Sequence, residues 1–200
     1  MATDSTSNDA TRKILIPWGD MVREISAGGV VLREIEGVWH VALIEPQKEP
    51  SGKVGAAPAK SPPKRTKATL ALPKGLVDPG ETAPVTAVRE VHEETGIVAE
   101  IIAKLADTRY VYVRNWGDGE RVFKIVTFYL LRYVSGEIDD VTTAMRVEVK
   151  RALWIPLLEA SRHLMYSNER KVLRLAQDYH QKRGLTPEDA AAPSRRKPKS

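Results

Sequence analysis

The chain of 200 residues contains no cysteine. Disulfides and thiolate zinc sites therefore cannot form, which excludes zinc fingers and thiol redox enzymes. No apolar run approaches the roughly 20 residues that a membrane-spanning helix needs. The polar N-terminal stretch 1–13 also lacks the apolar core of an export signal. From these absences we expect a cytoplasmic protein with no membrane partner.

Two hundred residues suggest one domain with tails. We expect an N-terminal tail over residues 1–20, disordered in its first dozen residues, then a folded domain over 21–184. Residues 185–200 predict a basic disordered tail. Its basic cluster could touch nucleic acid, although a solvated tail is the more frequent explanation. The sequence gives no indication of an oligomeric state.

The composition changes inside the predicted domain, at residues 46–69. This stretch holds five prolines and six basic residues and has no hydrophobic periodicity, which predicts a flexible insert. It is either a solvated loop without consequence or a basic flap that attracts phosphates. The net charge of +5 leaves both interpretations open.

The remaining elements follow from hydrophobic patterning. Strands are expected over 22–33, 39–45, 70–72, 97–106, 108–116, 121–133 and 148–157. Residues 117–119 predict a hairpin turn, 135–145 a polar loop, and 157–164 and 168–183 two helices. Gly28 and Gly29 resemble a phosphate loop only superficially, and close backbone packing or a bulge explains them better. The sum is a mixed sheet with helices on both sides.

The most specific pattern in the sequence lies at residues 75–97. From Thr82 the chain predicts a helix, with Pro84 in its first turn and Gly96 where the helix ends. The side chains expected to face the core are Pro84, Ala87, Val88 and Val91. Another side of the same helix carries three carboxylates, those of Glu90, Glu93 and Glu94.

Three crowded carboxylates repel one another and cost stability unless a cation neutralises them. Oxygen ligands of this kind suit Mg²⁺ or Mn²⁺. Arg89 stands one turn before Glu93 and can orient it through a salt bridge. The alternative is a solvated acidic helix face, which is common, but the loop before the helix also belongs to a specific motif.

That motif resembles the Nudix box, G-x5-E-x7-R-E-U-x-E-E-x-G-U, where U is apolar. Every specified position matches, which chance would produce less than about once in a million chains of this length. The matching residues are Gly75, Glu81, Arg89, Glu90, Val91, Glu93, Glu94, Gly96 and Ile97.

The resemblance to the Nudix hydrolase family implies an α/β/α sandwich with a mixed central sheet. It also implies an enzyme that hydrolyses a nucleoside diphosphate linked to another moiety, by water attack on phosphorus. By position, Glu90, Glu93 and Glu94 would be metal ligands, with the Gly75 carbonyl as a further one. Glu81 would support the loop or the metals, and Arg89 would hold the glutamates in place.

Many family members use one more glutamate outside the box as ligand or general base. Glu148 is our first candidate because it precedes the Trp-Ile-Pro segment at 154–156, and Glu120 is the second. An ordinary surface glutamate is about equally expected for either one.

The substrate-binding candidates surround the box in the sequence. Lys74, beside the loop glycine, is a candidate phosphate contact or a solvated lysine. The predicted hairpin adds Arg109, Tyr110, Tyr112 and Lys124. The two tyrosines share one face, where they can stack on a base or fill the core.

The substrate interpretation starts from three segments, 72–75, 108–111 and 154–156, which resemble Nudix hydrolases of dinucleoside polyphosphates. A MutT-like enzyme acting on oxidised nucleoside triphosphates is the main rival. Hydrolysis of ADP-ribose or nucleotide sugars and 5′-end processing of RNA follow. A module that binds a nucleotide without hydrolysing it would be expected to lose box carboxylates, and all are present here.

Overall fold

A computed structural model of the protein describes residues 21–47, 69–114 and 119–183. The two predicted tails and nearly all of the predicted insert lie outside these ranges, as does most of the predicted hairpin turn at 117–119. The strands are β1 (Val22–Ile35), β2 (Val38–Pro46), β3 (Lys74–Leu76), β4 (Ile97–Val113), β5 (Arg121–Gly136) and β6 (Val149–Pro156). The helices are α1 (Ala83–Thr95), α2 (Leu157–Ala160) and α3 (Ser167–Arg183), with a 3-10 turn at Met145–Val147.

All six strands belong to one sheet; five follow the order β4-β5-β1-β2-β6, and β3 pairs with β1 outside this order. The central pair β1 and β5 is parallel, and every other pairing is antiparallel. Strand β1 divides one of its edges: residues 32–35 pair with β2, and residues 26–28 pair with β3. This division brings the short strand β3 to the centre of the sheet.

Side chains of β1 alternate between two cores, one on each face of the sheet. Val30 and Leu32 contribute to a core that includes Val172 and Leu173 of α3. Ala27 and Val31 contribute to a second core, which includes Val91 of α1. The two helices therefore cover opposite faces, and the expected α/β/α sandwich with a mixed sheet is confirmed. None of the helices in the described ranges is long and apolar enough to cross a membrane.

Helix α1 ends as the sequence predicts, since Gly96 adopts φ +78° and its N–H donates to the His92 carbonyl. At the other end Thr82 occupies the N-cap position without a side-chain capping hydrogen bond. Its carbonyl oxygen instead accepts the N–H of Thr86 at 3.0 Å. Pro84, expected on the apolar side, is exposed in the first turn.

Three boundaries in the sequence prediction are wrong. Residues 97–106 and 108–116 do not form separate strands, because β4 runs through Asp107, which pairs with Thr127 and accepts its hydroxyl at 2.8 Å. Residues 70–72 make only isolated bridges, from Ala71 to Ile44 and from Leu70 to Leu164. The helix expected over 157–164 ends at Ala160 and continues as turns.

Gly28 and Gly29 are explained by packing, as expected. A Cβ atom on Gly28 would lie 2.3 Å from the Pro73 carbonyl oxygen. A Cβ atom on Gly29 would lie 2.3 Å from Leu131 Cδ1 and 2.8 Å from Val91 Cγ2. Because Gly28 has no side chain, the segment that leads into β3 can pack against it. Because Gly29 has none, α1 can pack close to the sheet.

Candidate active site

The contact between α1 and β3 explains the first glycine of the motif. Gly75 lies in β3 opposite Ala27, and the carboxylate of Glu90 rests directly against it. A Cβ atom at position 75 would lie 2.1 Å from the carboxyl carbon of Glu90. A larger residue here would displace this buried carboxylate, so the position requires glycine.

Arg89 connects the loop before α1 to the carboxylates on the helix. Its Nε and Nη2 each lie 3.0 Å from an oxygen of Glu81. Its Nη1 lies 2.7 Å from Glu90 Oε1 and 2.8 Å from Glu93 Oε2, so the predicted salt bridge to Glu93 is present. Nη2 also donates to the Leu76 carbonyl at 3.0 Å. One guanidinium therefore fixes three acidic side chains and the loop backbone.

Glu94 is the most deeply placed of these carboxylates, with 6% of its surface exposed. Its Oε2 accepts the backbone N–H of Lys74 at 2.7 Å. Burial raises the pKa of Glu94 to about 8, and the charges of Glu90 and Glu148 add to this effect while Lys74 opposes it. Burial also raises the pKa of Glu90, against the charge of Arg89. The site therefore holds more negative charge than its surroundings stabilise.

The donor set fits a hard divalent cation in chemical terms. Its donors are carboxylate oxygens, at least two of them buried and destabilised as anions, which is the situation a cation relieves. Within the described ranges, no group of three or more histidine or acidic side chains is arranged closely enough to hold a metal ion. In this arrangement the positive charge between Glu90 and Glu93 is the guanidinium of Arg89.

The structure separates the two candidates for the extra glutamate. Glu148 follows the 3-10 turn with an exposed side chain, and its charge contributes to the raised pKa of both Glu90 and Glu94. It therefore lies near enough to the α1 carboxylates for their charges to interact. Glu120 pairs with Arg114 Nη1 at 2.5 Å, at the turn end of the β4–β5 hairpin.

Lys74 has its side chain on the α3 face of the sheet, where its Nζ lies 3.6 Å from Glu169 Oε1. Burial alone would lower the pKa of Lys74, but the carboxylates of Glu169 and Glu94 outweigh it and hold the pKa above its ordinary value. The lysine is thus part of a charged pair, which neither of the sequence interpretations anticipated.

Glu169 is a site-bordering residue that the sequence prediction missed. It is 1% exposed, its Oε2 accepts the Leu72 N–H at 3.0 Å, and its Oε1 has no hydrogen-bond partner among the described residues. A signal was available: Glu169 precedes Val172, Leu173 and Ala176 by three, four and seven positions. That spacing places a carboxylate on the apolar face of α3.

Of the remaining substrate candidates, Tyr110, Tyr112 and Lys124 lie on one face of the sheet. Tyr110 and Tyr112 share a face, as expected, with ring centroids 6.3 Å apart. Tyr110 is half-buried against the α3-side core, and the charge of Lys74 acts on it. Tyr112 and Lys124 instead contact Glu24, at 3.0 and 3.3 Å.

Arg109 is exposed, and its place next to Tyr110 in β4 puts it on the other face of the sheet. The structure therefore brings Tyr110 together with Lys74. Lys124 pairs with Tyr110 across β4 and β5 and so lies on the same face of the sheet, whereas Arg109 does not.

Comparison with known proteins agrees with this geometry. Residues 38–176 match the NUDIX domain family. The chain is 37% identical over 160 residues to the putative mutator protein MutT4 of Mycobacterium tuberculosis, covering 78% of this chain and 56% of that protein. It is 35% identical over 103 residues to an 8-oxo-(d)GTP phosphatase of Mycolicibacterium smegmatis, covering 52% of this chain and 28% of that protein. The match thus spans about half of the first relative and about a quarter of the second.

Two solved structures share the fold at low sequence identity. A Caenorhabditis elegans Ap4A hydrolase in a binary complex superposes with a TM-score of 0.56 at 21% identity, covering 79% of this chain and 98% of that one. The NUDIX domain of Shewanella oneidensis NrtR, complexed with ADP ribose, superposes with a TM-score of 0.56 at 14% identity. That match covers 78% of this chain and 88% of the other.

Proposed function

The chain belongs to the NUDIX family, and on that premise we propose that it is a divalent-metal-dependent pyrophosphohydrolase of nucleoside polyphosphates. The observation that carries the proposal is the burial of two neighbouring carboxylates against β3, where the Glu90 carboxylate rests on Gly75 and Glu94 accepts the Lys74 N–H. Burial raises the pKa of Glu94 to about 8. Such burial is costly without a cation and is typical of functional sites.

In this proposal Glu90, Glu93 and Glu94 hold Mg²⁺ or Mn²⁺, with the Gly75 carbonyl beside them. A bound divalent ion neutralises phosphate oxygens and makes a water molecule more acidic. Arg89 keeps the carboxylates in register with the loop, through Glu81. We propose that Glu148 accepts a proton from the attacking water, because its side chain is exposed to solvent and its charge acts on the buried glutamates.

The attack breaks a phosphoanhydride bond: an oxygen of water forms a new bond to phosphorus, and the bridging oxygen leaves with the other product. Lys74 and Tyr110 lie on the α3 side of β3, the strand that carries Gly75. We propose that they line the path of the substrate rather than bind the cation.

For the substrate we propose first a nucleoside triphosphate with an oxidised purine base. The support is that two relatives above 30% identity are named as a putative mutator protein and as an 8-oxo-(d)GTP phosphatase. Dinucleoside polyphosphates, which the sequence segments favour, come second, because the likeness to Ap4A hydrolase is 21% identical and concerns the fold. ADP-ribose and nucleotide sugars follow. A purely binding module is disfavoured by the intact set of box carboxylates.

A substrate panel in H₂¹⁸O tests this proposal. The purified chain is incubated with Mg²⁺ or Mn²⁺ and 8-oxo-dGTP, dGTP, diadenosine tetraphosphate or ADP-ribose, and products are identified by mass. We expect metal-dependent cleavage with the highest kcat/KM for 8-oxo-dGTP, and the position of ¹⁸O identifies the phosphorus attacked. Preference for diadenosine tetraphosphate would reverse the substrate order.

Two variants connect any activity to this site. Glu93→Gln should nearly abolish hydrolysis, because it removes a proposed ligand whose side chain is 40% exposed and thus leaves the core intact. Glu137→Gln, an exposed change in the loop after β5, is the control and should retain wild-type rates. Wild-type activity in Glu93→Gln, or no metal-dependent activity on any substrate, would contradict the proposal.

A further inference from the structure

The loop that leads from β5 to Glu148 packs against the C-terminal end of α1, the helix that carries Glu90 and Glu94. The Asp139 N–H donates to the Thr95 carbonyl, the last residue of α1, at 2.9 Å. A Cβ atom on Gly96 would lie 2.6 Å from the carbonyl oxygens of Glu137 and Asp140. The loop therefore rests on the C-terminus of α1 with no space between them.

Inside this loop, Asp139 and Arg146 form a closed set of contacts. Arg146 Nη1 donates to Asp139 Oδ1, and Nη2 donates to the Asp139 carbonyl, both at 2.7 Å. Asp139 Oδ1 also accepts the Ala152 N–H of β6 at 2.7 Å, and Arg146 Nη1 donates to the Lys150 carbonyl at 3.1 Å. Because Asp139 adopts φ +74°, its contacts must offset an unfavourable backbone conformation.

The backbone on either side of Glu148 is held as well. The Gln47 N–H donates to the Glu148 carbonyl at 2.7 Å, and Gln47 Nε2 donates to the Arg146 carbonyl at 3.0 Å. Val149, the next residue, is fully buried. The main chain at 148 is thus fixed, while the carboxylate itself remains exposed.

We propose that Asp139 and Arg146 are positioning residues, which fix the main chain of Glu148 relative to the carboxylates of α1. The path runs from Thr95 through Asp139 to Arg146, two residues before Glu148. It makes the proposed general base and the proposed metal ligands parts of one rigid unit. This inference rests on the proposed role of Glu148, so its test must separate the two.

The test is a double-mutant cycle on steady-state kinetics. Arg146→Met removes every guanidinium contact, and we expect kcat to fall about 10- to 100-fold with little change in KM, as loss of an outer-shell partner does. In a Glu148→Gln background the same change should cost almost nothing further, because the group it positions is already absent. A purely structural role would lower both backgrounds alike.

Conservative variants keep the test informative if Arg146→Met folds poorly. Asp139→Asn tolerates positive φ and keeps an acceptor for the Ala152 N–H, so it removes only the ionic contact. Arg146→Lys keeps the positive charge but cannot form the paired hydrogen bonds of the guanidinium. Arg151→Met is the matched control, since Arg151 lies in β6 and pairs with Glu45 Oε2 at 2.7 Å. We expect intermediate kcat values in the first two variants and a wild-type value in the control.

Three results would overturn the inference. Wild-type kcat in Arg146→Met would show that the contacts do not matter for turnover. An equal loss in both backgrounds would show that Arg146 does not act through Glu148, and the proposed function would stand. Wild-type kcat in Glu148→Gln would remove the base assignment and this inference together, while the loss of activity in Glu93→Gln would still support hydrolysis at the α1 site.

Discussion

Glu94 and Glu169 hold the same short segment of chain from opposite faces of the sheet. Glu94 of α1 accepts the Lys74 N–H at 2.7 Å, and Glu169 of α3 accepts the Leu72 N–H at 3.0 Å. Both carboxylates are buried, at 6% and 1% exposure. Side chains two residues apart in a strand point to the same face of the sheet. The N–H groups at 72 and 74 nevertheless donate to carboxylates on two helices that cover opposite faces. The position of Gly75, one residue later, is therefore set from both sides.

The two carboxylates should respond differently to removal, beginning with Glu94. Glu94→Gln keeps an oxygen acceptor for the Lys74 N–H but loses the charge of a proposed metal ligand. Hydrolysis should therefore fall more than about a hundredfold, because loss of a residue that only contacts a metal ligand already costs about 10- to 100-fold. The pKa of Glu94 in the folded protein is about 8, above its ordinary value of 4.5. The metal-free protein should therefore lose stability as the pH rises from 4.5 to 8.

That pH-dependent loss should be smaller in Glu94→Gln, where the raised pKa values of Glu90 and Glu169 still contribute to it. Urea unfolding of both proteins in EDTA at pH 5 and pH 8 measures it. The wild-type midpoint should fall more between pH 5 and pH 8 than the midpoint of the variant does, and equal changes in the two proteins would contradict the buried, destabilised state of this carboxylate.

Glu169→Ala should instead lower stability. It leaves the Leu72 N–H without its acceptor, opens a cavity and removes the partner of the partly buried Lys74 ammonium. We expect a loss of about 2–4 kcal/mol in the free energy of unfolding. Glu159→Ala, on the exposed side of α2, is the control and should change stability by less than about 0.5 kcal/mol. Equal stability of the two variants would mean that the contacts of Glu169 with residues 72–74 do not stabilise the fold.

Gly75→Ala tests the contact between β3 and α1. The new methyl group would collide with the Glu90 carboxylate, which is the movable end of a side chain, so the fold should survive while the carboxylate shifts. We expect kcat to fall about a hundredfold, because misplacement by about 1 Å has that effect. Gly37→Ala provides the contrast: φ is +77° there, and in the described part of the chain a Cβ atom would meet nothing within 4 Å apart from its chain neighbours. It should cost about 1–2 kcal/mol of stability and leave kcat unchanged.

Glu148→Gln should lower kcat about 10²- to 10⁴-fold, the contribution of a general base. Glu120→Gln should leave kcat near the wild-type value, because Glu120 pairs with Arg114 in the β4–β5 hairpin. Both are measured at saturating substrate, with melting temperatures as a check on folding. If the two variants lose activity equally and slightly, the proton is accepted by another group.

The sequence was most informative where the deciding contacts are local. Helix α1 begins one residue after the predicted start and ends where predicted, because Pro84 and Gly96 act through their own backbone preferences. The Arg89–Glu93 salt bridge is also local, one helical turn long. The box could be recognised for the same reason, since its spacing follows from one loop and one helix.

Long-range contacts decided the rest. The Leu72–Glu169 hydrogen bond spans 97 positions, and the pairing of Lys74 with Glu169 spans a similar distance. No periodicity indicates that two helices on opposite faces will share one segment. Strand β4 continues through Asp107 because β5 supplies a hydroxyl partner at Thr127, which could not be read from β4 alone.

By itself, then, the sequence determined the family resemblance, the carboxylate helix and the α/β/α class, since these depend on residue type and on spacing within about 25 positions. Only the tertiary structure decided which groups surround that helix. In the folded protein Lys74 pairs with Glu169, and Glu120 pairs with Arg114. Glu148 lies near the α1 carboxylates, on a loop that packs against Gly96. The physical reason is that burial, and with it the charge balance of the site, arises only when both faces of the sheet are covered.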